Sequence, residues 1–141
     1  MPSPACLVVL LTGLFIAGSY GASHSQAVQR KASLEDSLLG NWTGTSICQV
    51  KSSPCRDENV VFHFSPGNGP NQYKVDADKI VNGQQVNMGE LDFILNPSTH
   101  TLTCLFPNGT WVLVVNKRHM EGTLTTTDKV LYRKLSLSKT P

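Results

Sequence analysis

The chain has 141 residues, of which 40% are hydrophobic and 16% are charged. This length fits one domain, and this composition excludes a chain that is disordered throughout. Twelve basic and ten acidic residues give a formal net charge of +2, and no Lys/Arg cluster is longer than a pair, so no nucleic-acid partner is predicted.

The first 27 residues contain no charged side chain. Their apolar stretch, residues 7–17, has the length of a signal-peptide core and is too short to span a bilayer comfortably. Small residues at Ser25 and Ala27 fit the rule for cleavage after Ala27, and residues 19–21 offer a second acceptable site. We therefore predict a signal peptide over residues 1–27, a secreted or periplasmic location, and no membrane association after cleavage.

The predicted mature chain keeps three cysteines, Cys48, Cys55 and Cys104. Export leads to a compartment in which disulfides persist. Cys48 and Cys55 lie at the two ends of a short polar connection, so a local disulfide between them is the first prediction. Pairing of Cys104 with either of them is the alternative, which the sequence leaves open.

An N-terminal segment over residues 28–39 is predicted to contain one short helical turn, because Asp36 follows the capping residue Ser33 by three positions. From Gly40 onward, short runs of β-branched and aromatic residues are separated by Gly, Pro, Asn and Asp. Apolar and polar residues alternate within these runs, which is typical of antiparallel sheet that is wetted on one side. A turn signal such as Asn82-Gly83 separates one run from the next.

About eight such strands fill residues 40–137. Closing them into an antiparallel up-and-down barrel removes the two unpaired edges that an open sheet would expose. We therefore predict an all-β barrel domain over residues 40–137, with a two-sheet sandwich as the alternative.

The first predicted strand begins with Gly40, Asn41 and Trp42 directly after the helical turn. This opening resembles the Gly-x-Trp motif of the calycin superfamily, which comprises the lipocalins, avidins and fatty-acid-binding proteins. The resemblance implies that Trp42 closes one end of a lipocalin-like barrel and that Arg133, from the last strand, packs across it. The aromatic box of the avidins cannot be assembled from Trp42 and Trp111, so biotin is not predicted.

The apolar faces of the predicted strands supply aromatic side chains to the interior, where they can line a cup for a small hydrophobic ligand. The predicted ligand-binding residues are Trp42, Phe62, Phe64, Tyr73, Phe93, Trp111 and Arg133.

No catalytic, metal or cofactor site is predicted. His100 and Cys104 are four residues apart on one strand, about 13 Å at strand rise, and are too far apart to ligate one metal. Cys104 lies between apolar neighbours, a setting that raises the pKa of a thiol and so disfavours a nucleophile. We expect the three histidines of the mature chain, His63, His100 and His119, to lie on the surface.

The sequence thus predicts a non-enzymatic, exported β-barrel that binds a small hydrophobic ligand. The alternative is an interaction or inhibitor module with a filled barrel, acting through two polar loops over residues 51–58 and 65–72.

Overall fold

The computed structural model describes residues 33–141, so the predicted signal peptide and residues 28–32 lie outside the described range. One short helix precedes eight strands. They are α1 (Leu34–Leu38), β1 (Gly40–Cys48), β2 (Glu58–Pro66), β3 (Gln72–Val81), β4 (Gln84–Asn96), β5 (Thr101–Phe106), β6 (Gly109–Asn116), β7 (His119–Thr126) and β8 (Leu131–Lys139). The last strand therefore continues two residues beyond the predicted end of the barrel.

The helical turn forms where the capping pattern predicts it. Ser33 has an extended backbone, and its hydroxyl accepts a hydrogen bond from the backbone N–H of Asp36 at 3.2 Å. This bond satisfies one of the unpaired donors of the first turn. No helix within residues 33–141 is long and apolar enough to cross a membrane.

The eight strands form one closed barrel in which each strand pairs antiparallel with the next and β8 pairs with β1. The predicted up-and-down barrel is confirmed, and the sandwich alternative is wrong. Asn82 and Gly83 join β3 to β4 with φ values of 51° and 79°. Positive φ at both positions fits the primed turn that Asn-Gly favours.

The predicted alternation places one face of every strand in a continuous interior core. Its buried members are Leu38, Trp42, Val60, Phe62, Phe64, Tyr73, Val75, Ala77, Phe93, Leu95, Leu102, Cys104, Trp111, Leu113, Val115, Met120, Leu135 and Leu137. Leu38 comes from α1, so the helix adds to the same core and stays attached to one end of the barrel.

The two ends of the barrel differ. At the closed end, where β1 begins and β8 ends, the Trp42 indole N–H donates a hydrogen bond to the carbonyl of Leu38 at 2.8 Å. This contact holds α1 against the interior. At the opposite, open end lie the 49–57 loop and the turns β3–β4, β5–β6 and β7–β8.

Candidate functional site

The interior of the open end contains a cavity of about 260 Å³. Side chains from β1–β8 line its walls. The lining residues are Ser46, Glu58, Val60, Phe62, Ala77, Met88, Gly89, Glu90, Leu91, Phe106, Trp111, Leu124 and Arg133. Most of these are apolar. Of the charged ones, Glu58 and Arg133 face the interior, whereas Glu90 lies at the edge of the cavity and pairs with Lys74 on the outer face.

Two aromatic rings form the floor and wall of this cavity. Phe62 and Trp111 pack edge to face, with ring centroids 6.5 Å apart and an angle of 87° between the ring planes. Phe62 is 2% exposed and Trp111 is 7% exposed, so both rings are fixed by packing. A rigid aromatic surface of this kind binds an apolar group with little loss of side-chain entropy.

A polar cluster lies at the mouth of the same cavity. One Nη of Arg133 donates to the Ser46 hydroxyl at 3.1 Å and to the carbonyl of Arg56 at 3.1 Å, and lies 3.2 Å from a carboxylate oxygen of Glu58. The side chains of Arg133 and Glu58 are only 14% and 21% exposed. The ammonium of Lys79 lies 3.8 Å from the other carboxylate oxygen of Glu58, so the cluster contains two cations and one carboxylate. It is partly desolvated, and it presents donors and an acceptor beside the apolar wall.

The loop that supplies part of this cluster is closed by a disulfide between Cys48 and Cys55, as predicted. A side-chain oxygen of Asp57 accepts a hydrogen bond from the backbone N–H of Cys48 at 2.8 Å. The disulfide and this bond fix the path of the loop before it enters β2. They therefore position the Arg56 carbonyl and the Glu58 carboxylate around Arg133.

The predicted ligand-binding residues divide between the two ends of the barrel. Phe62, Trp111 and Arg133 line the open-end cavity. The other four are packed into the closed half. They are Trp42, Phe64, Tyr73 and Phe93.

The closed-end aromatic residues contact one another. Phe64 lies 6.3 Å from the Trp42 ring and 6.2 Å from the Phe93 ring, measured between centroids. Tyr73 is buried, and burial raises the pKa of its phenol, with the carboxylates of Glu35 and Asp36 adding to the rise. This group fills the closed half of the interior, while the cavity lies in the open half.

The predicted packing of Arg133 across Trp42 is wrong. Trp42 is paired with Lys139 in the β1–β8 register, whereas Arg133 is paired with Cys48 at the other end of β1. Arg133 and Lys139 are six positions apart along β8, which is about 20 Å at strand rise. Lys139 therefore takes the place expected of Arg133, with its Nζ 5.7 Å from the Trp42 ring centroid.

Lys139 is held over Trp42 by the backbone of the helix end. Its Nζ donates to the carbonyl of Leu39 at 2.7 Å and also to the carbonyl of Ser37. Burial lowers the pKa of the ammonium, and the nearby charge of Arg118 lowers it further. Lys139 thus joins β8, α1 and Trp42 at the closed end.

Ser46 and Glu58 belong to the cavity, although neither was among the predicted site residues. Each lies an even number of positions from an inward-facing residue of its own strand, Ser46 from Trp42 on β1 and Glu58 from Phe62 on β2, so each has the same inward parity. Strand parity was therefore a signal that could have found them. They were not predicted because the site was predicted mainly from apolar and aromatic residues, and both of these are polar.

His63 takes part in a polar network on the outer surface. One ring nitrogen lies 2.8 Å from the Asn41 side-chain oxygen, and the other lies 3.0 Å from a carboxylate oxygen of Asp78. Asp78 also accepts a hydrogen bond from the Asn87 amide at 2.9 Å. The network joins β1, β2, β3 and β4.

His100 and His119 are exposed, as is the usual case for histidine at turns. Within residues 33–141, no three His, Cys, Asp or Glu side chains are grouped closely enough to hold a metal ion.

Cys104 is a free thiol, 2% exposed, inside the barrel. Burial raises the pKa of this thiol above its ordinary value. The thiolate is the reactive form, so a raised pKa reduces the reactive fraction at neutral pH. We expect that Ellman's reagent at pH 8 leaves Cys104 unlabelled in the folded mature chain and labels it after denaturation without reductant. Rapid labelling of the folded protein would show that the thiol is accessible.

The two polar loops predicted as an interaction surface lie at opposite ends of the barrel. The first loop covers residues 49–57 at the open end, since β1 ends at Cys48 and β2 begins at Glu58. The second is shorter than predicted and covers residues 67–71 at the closed end, since Ser65, Pro66 and Gln72 are strand residues. One partner surface cannot contact both loops without spanning the length of the barrel.

A shallow hollow of about 650 Å³ lies on the outer surface of β1 and β6–β8, where Ile47, Val112 and Thr123 are among its lining residues. It is wider than the interior cavity, but it is open to solvent. A ligand there would be covered on one side only, whereas a site that binds a small molecule covers most of its surface. The interior cavity is therefore the better candidate site.

No protein-family model matches this chain, and no curated protein matches it.

Proposed function

We propose that this chain is an exported, non-enzymatic β-barrel protein that binds one small, mainly hydrophobic molecule in the cavity at its open end. The observation that carries the proposal is the cavity itself, in which Phe62 and Trp111 form an apolar wall beside the ion pair of Arg133 and Glu58. Export is supported by the charge-free N-terminal 27 residues and by the Cys48–Cys55 disulfide, a bond that persists in oxidising compartments.

The size of the cavity limits the ligand. Its volume of about 260 Å³ lies just below the range of about 300–1,000 Å³ that is usual for small-molecule sites. A flat ring system or a short branched chain fits this space, and a long acyl chain does not. The apolar part of such a ligand gains about 25 cal/mol for each Å² that it buries against the aromatic wall.

The polar mouth favours a ligand group that accepts hydrogen bonds. Arg133 and Lys79 exceed Glu58 by one positive charge, while Arg133 and the Ser46 hydroxyl supply donors and Glu58 supplies an acceptor. A ligand amide or hydroxyl can both donate and accept there, so it reproduces the hydrogen bonds of the water that it displaces. This arrangement, like the likeness to the calycin superfamily, supports a binding role for the interior.

Native mass spectrometry of the mature protein, exported by its host and extracted mildly, tests the proposal. We expect a complex that is heavier than the apo chain by the mass of one small molecule. A titration with the apolar dye anilinonaphthalene sulfonate, followed by dye fluorescence, provides a second measurement in which the ligand is known.

Filling the cavity should abolish binding. Ala77 is 4% exposed and lines the cavity opposite Phe62 and Gly89. In Ala77→Leu three added carbon atoms occupy the ligand space, and we expect the affinity for the dye to fall by at least about tenfold, or about 1.4 kcal/mol. The matched control is Ser136→Leu, in which the same side chain is added at an exposed position of β8. An apo mass together with dye binding that is equal in all three proteins would contradict the proposal.

A further inference from the structure

The barrel wall is incompletely closed between β4 and β5. These strands pair only at Ile94, Leu95 and Asn96 of β4, whereas β3 and β4 pair along ten positions. Within the described chain, residues 84–93 of β4 and residues 104–106 of β5 have no ladder partner across this gap, and the backbone N–H of Asp92 contacts the Cys104 thiol instead. We call this gap the seam, and apart from this N–H its two edges carry backbone N–H and C=O groups without a strand partner.

The seam passes through the wall of the barrel. On the inside, the interior cavity reaches Gly89, Leu91 and Phe106 at the two edges of the seam. On the outside, a hollow of about 610 Å³ is lined by Asp92, Ile94 and Leu105 of these strands, together with residues of β3 and of the 67–71 loop. A chain that lies in the seam can therefore direct alternate side chains inward and outward.

The side chains beside the seam are exposed apolar groups. Ile94 is 59% exposed and Leu105 is 80% exposed, although both lie on strands. Ile94 lies at the end of the paired region, so a strand laid in the seam would place side chains next to Leu105 on the outside and next to Leu91 and Phe106 on the inside. Burial of these groups adds a hydrophobic contribution to the backbone pairing.

The outer face next to the seam is acidic. Asp76, Glu90 and Asp92 lie on the outer face of β3 and β4, where Lys74 pairs with both Glu90 and Asp92. Asp78 lies on the same face but is paired with His63. Without Asp78, three carboxylates and one ammonium still leave a net negative charge, and β5 carries no charged residue to offset it. The charge thus favours a basic partner and disfavours an acidic one.

A second copy of this chain fits the seam poorly. Pairing of one β4 edge with another would bring Glu90 and Asp92 of both copies together. The bulge between Ala77 and Asp78, opposite Gly89 with its φ of 119°, also interrupts the edge that two copies would need to share. Beyond this bulge, residues 89–93 form a regular edge of about 17 Å, the length of a five-residue strand.

We propose that the seam binds an extended basic peptide segment by strand addition, with its backbone paired to residues 89–93 of β4 and its apolar and basic side chains alternating between the inside and the outside. This inference does not rest on the proposed small-molecule ligand, because the pairing groups belong to the backbone of β4 and β5. The partner is thus an unfolded or flexible segment of another protein in which Lys or Arg alternates with an apolar residue.

The test uses the synthetic hexapeptide amide (Lys-Val)₃ and amide NMR spectra of the purified protein at low salt. We expect saturable binding that shifts the amide signals of residues 89–93 and 104–106 and slows their hydrogen exchange. The same peptide with every second backbone nitrogen methylated cannot form the ladder on one edge, and it should bind at least about tenfold more weakly. The acidic peptide (Glu-Val)₃ should bind more weakly still.

A charge-reversal variant tests whether the peptide binds at the seam. Asp92 is 81% exposed, so Asp92→Lys reverses a charge there without disturbing the core. We expect the affinity for (Lys-Val)₃ to fall about fivefold at low salt, the scale of an exposed charge pair. The matched control, Asp128→Lys in the β7–β8 turn, should change it by less than about twofold. The inference would be overturned by the absence of binding, by equal losses in the two variants, or by shifts confined to other strands. Equal binding of the methylated peptide, or dimerisation of the free protein through β4, would overturn it as well.

Discussion

Replacement of Trp42 by alanine is expected to lower the free energy of unfolding by about 3–5 kcal/mol, the range measured for large aromatic residues in cores. Trp42 is fully buried, and its loss leaves a cavity between Phe64 and the end of α1. The substitution also leaves the carbonyl of Leu38 without its indole donor and removes the aromatic face under Lys139. Chemical denaturation followed by circular dichroism measures the change.

A matched variant separates packing from polar contacts at this position. Trp42→Phe keeps a ring in the core but removes the indole N–H, so we expect a smaller loss, of which about 1 kcal/mol comes from the hydrogen bond. A loss below about 1 kcal/mol for Trp42→Ala would mean that the indole contributes little to the core. That result would remove Trp42 as the residue that closes this end of the barrel.

Reduction of the Cys48–Cys55 disulfide has the second-largest expected effect. The two cysteines are separated by seven positions, and closing so short a loop restricts the unfolded chain by about 2–3 kcal/mol in the chain-entropy account. For a domain of this size, that loss lowers the melting temperature by on the order of 10 °C. Thermal unfolding with and without a thiol reductant measures it.

Cys104 supplies the control for the disulfide. Cys104→Ser removes the free buried thiol and leaves the Cys48–Cys55 pair in place, so the sensitivity to reductant should persist in this variant. Cys48→Ser with Cys55→Ser should remove the sensitivity. Equal melting temperatures of the unmodified protein with and without reductant would contradict a stabilising role for the disulfide.

The two predictions concern opposite ends of the barrel. Trp42, Lys139 and α1 stabilise the closed end, while the disulfide holds the loop that surrounds Arg133 at the open end. We therefore expect that reduction of the disulfide lowers both the stability of the fold and the affinity for a ligand in the open-end cavity. Trp42→Phe should lower the stability alone.

The interior of this protein could be predicted because side chains of a strand alternate between its two faces. Val60, Phe62 and Phe64 are buried as their spacing indicates, and the same parity holds for Leu102 and Cys104. The number of strands followed from the turn residues, since Asn82-Gly83 and similar signals mark each reversal of the chain. The closed barrel then followed from the unpaired edges that an open sheet would leave.

The candidate site could be predicted only in part, because parity gives the face of a side chain and not its height in the barrel. Phe62 and Trp111 line the cavity, while Phe64 and Phe93, which have the same inward parity, fill the closed half. That difference depends on the stagger of paired strands around the barrel, which no short stretch of sequence contains.

The sequence by itself determined that this chain forms an antiparallel β-structure with an apolar interior and a short capped helix, because these properties depend on neighbours along the chain. Only the tertiary structure decided that Lys139 rather than Arg133 lies over Trp42 and that Arg133 joins Ser46 and Glu58 at the cavity mouth. It also decided that β4 and β5 part to leave a seam. The reason is that strand register is set by contacts between residues far apart in sequence, and a shift along β8 changes the end of the barrel at which each cation lies.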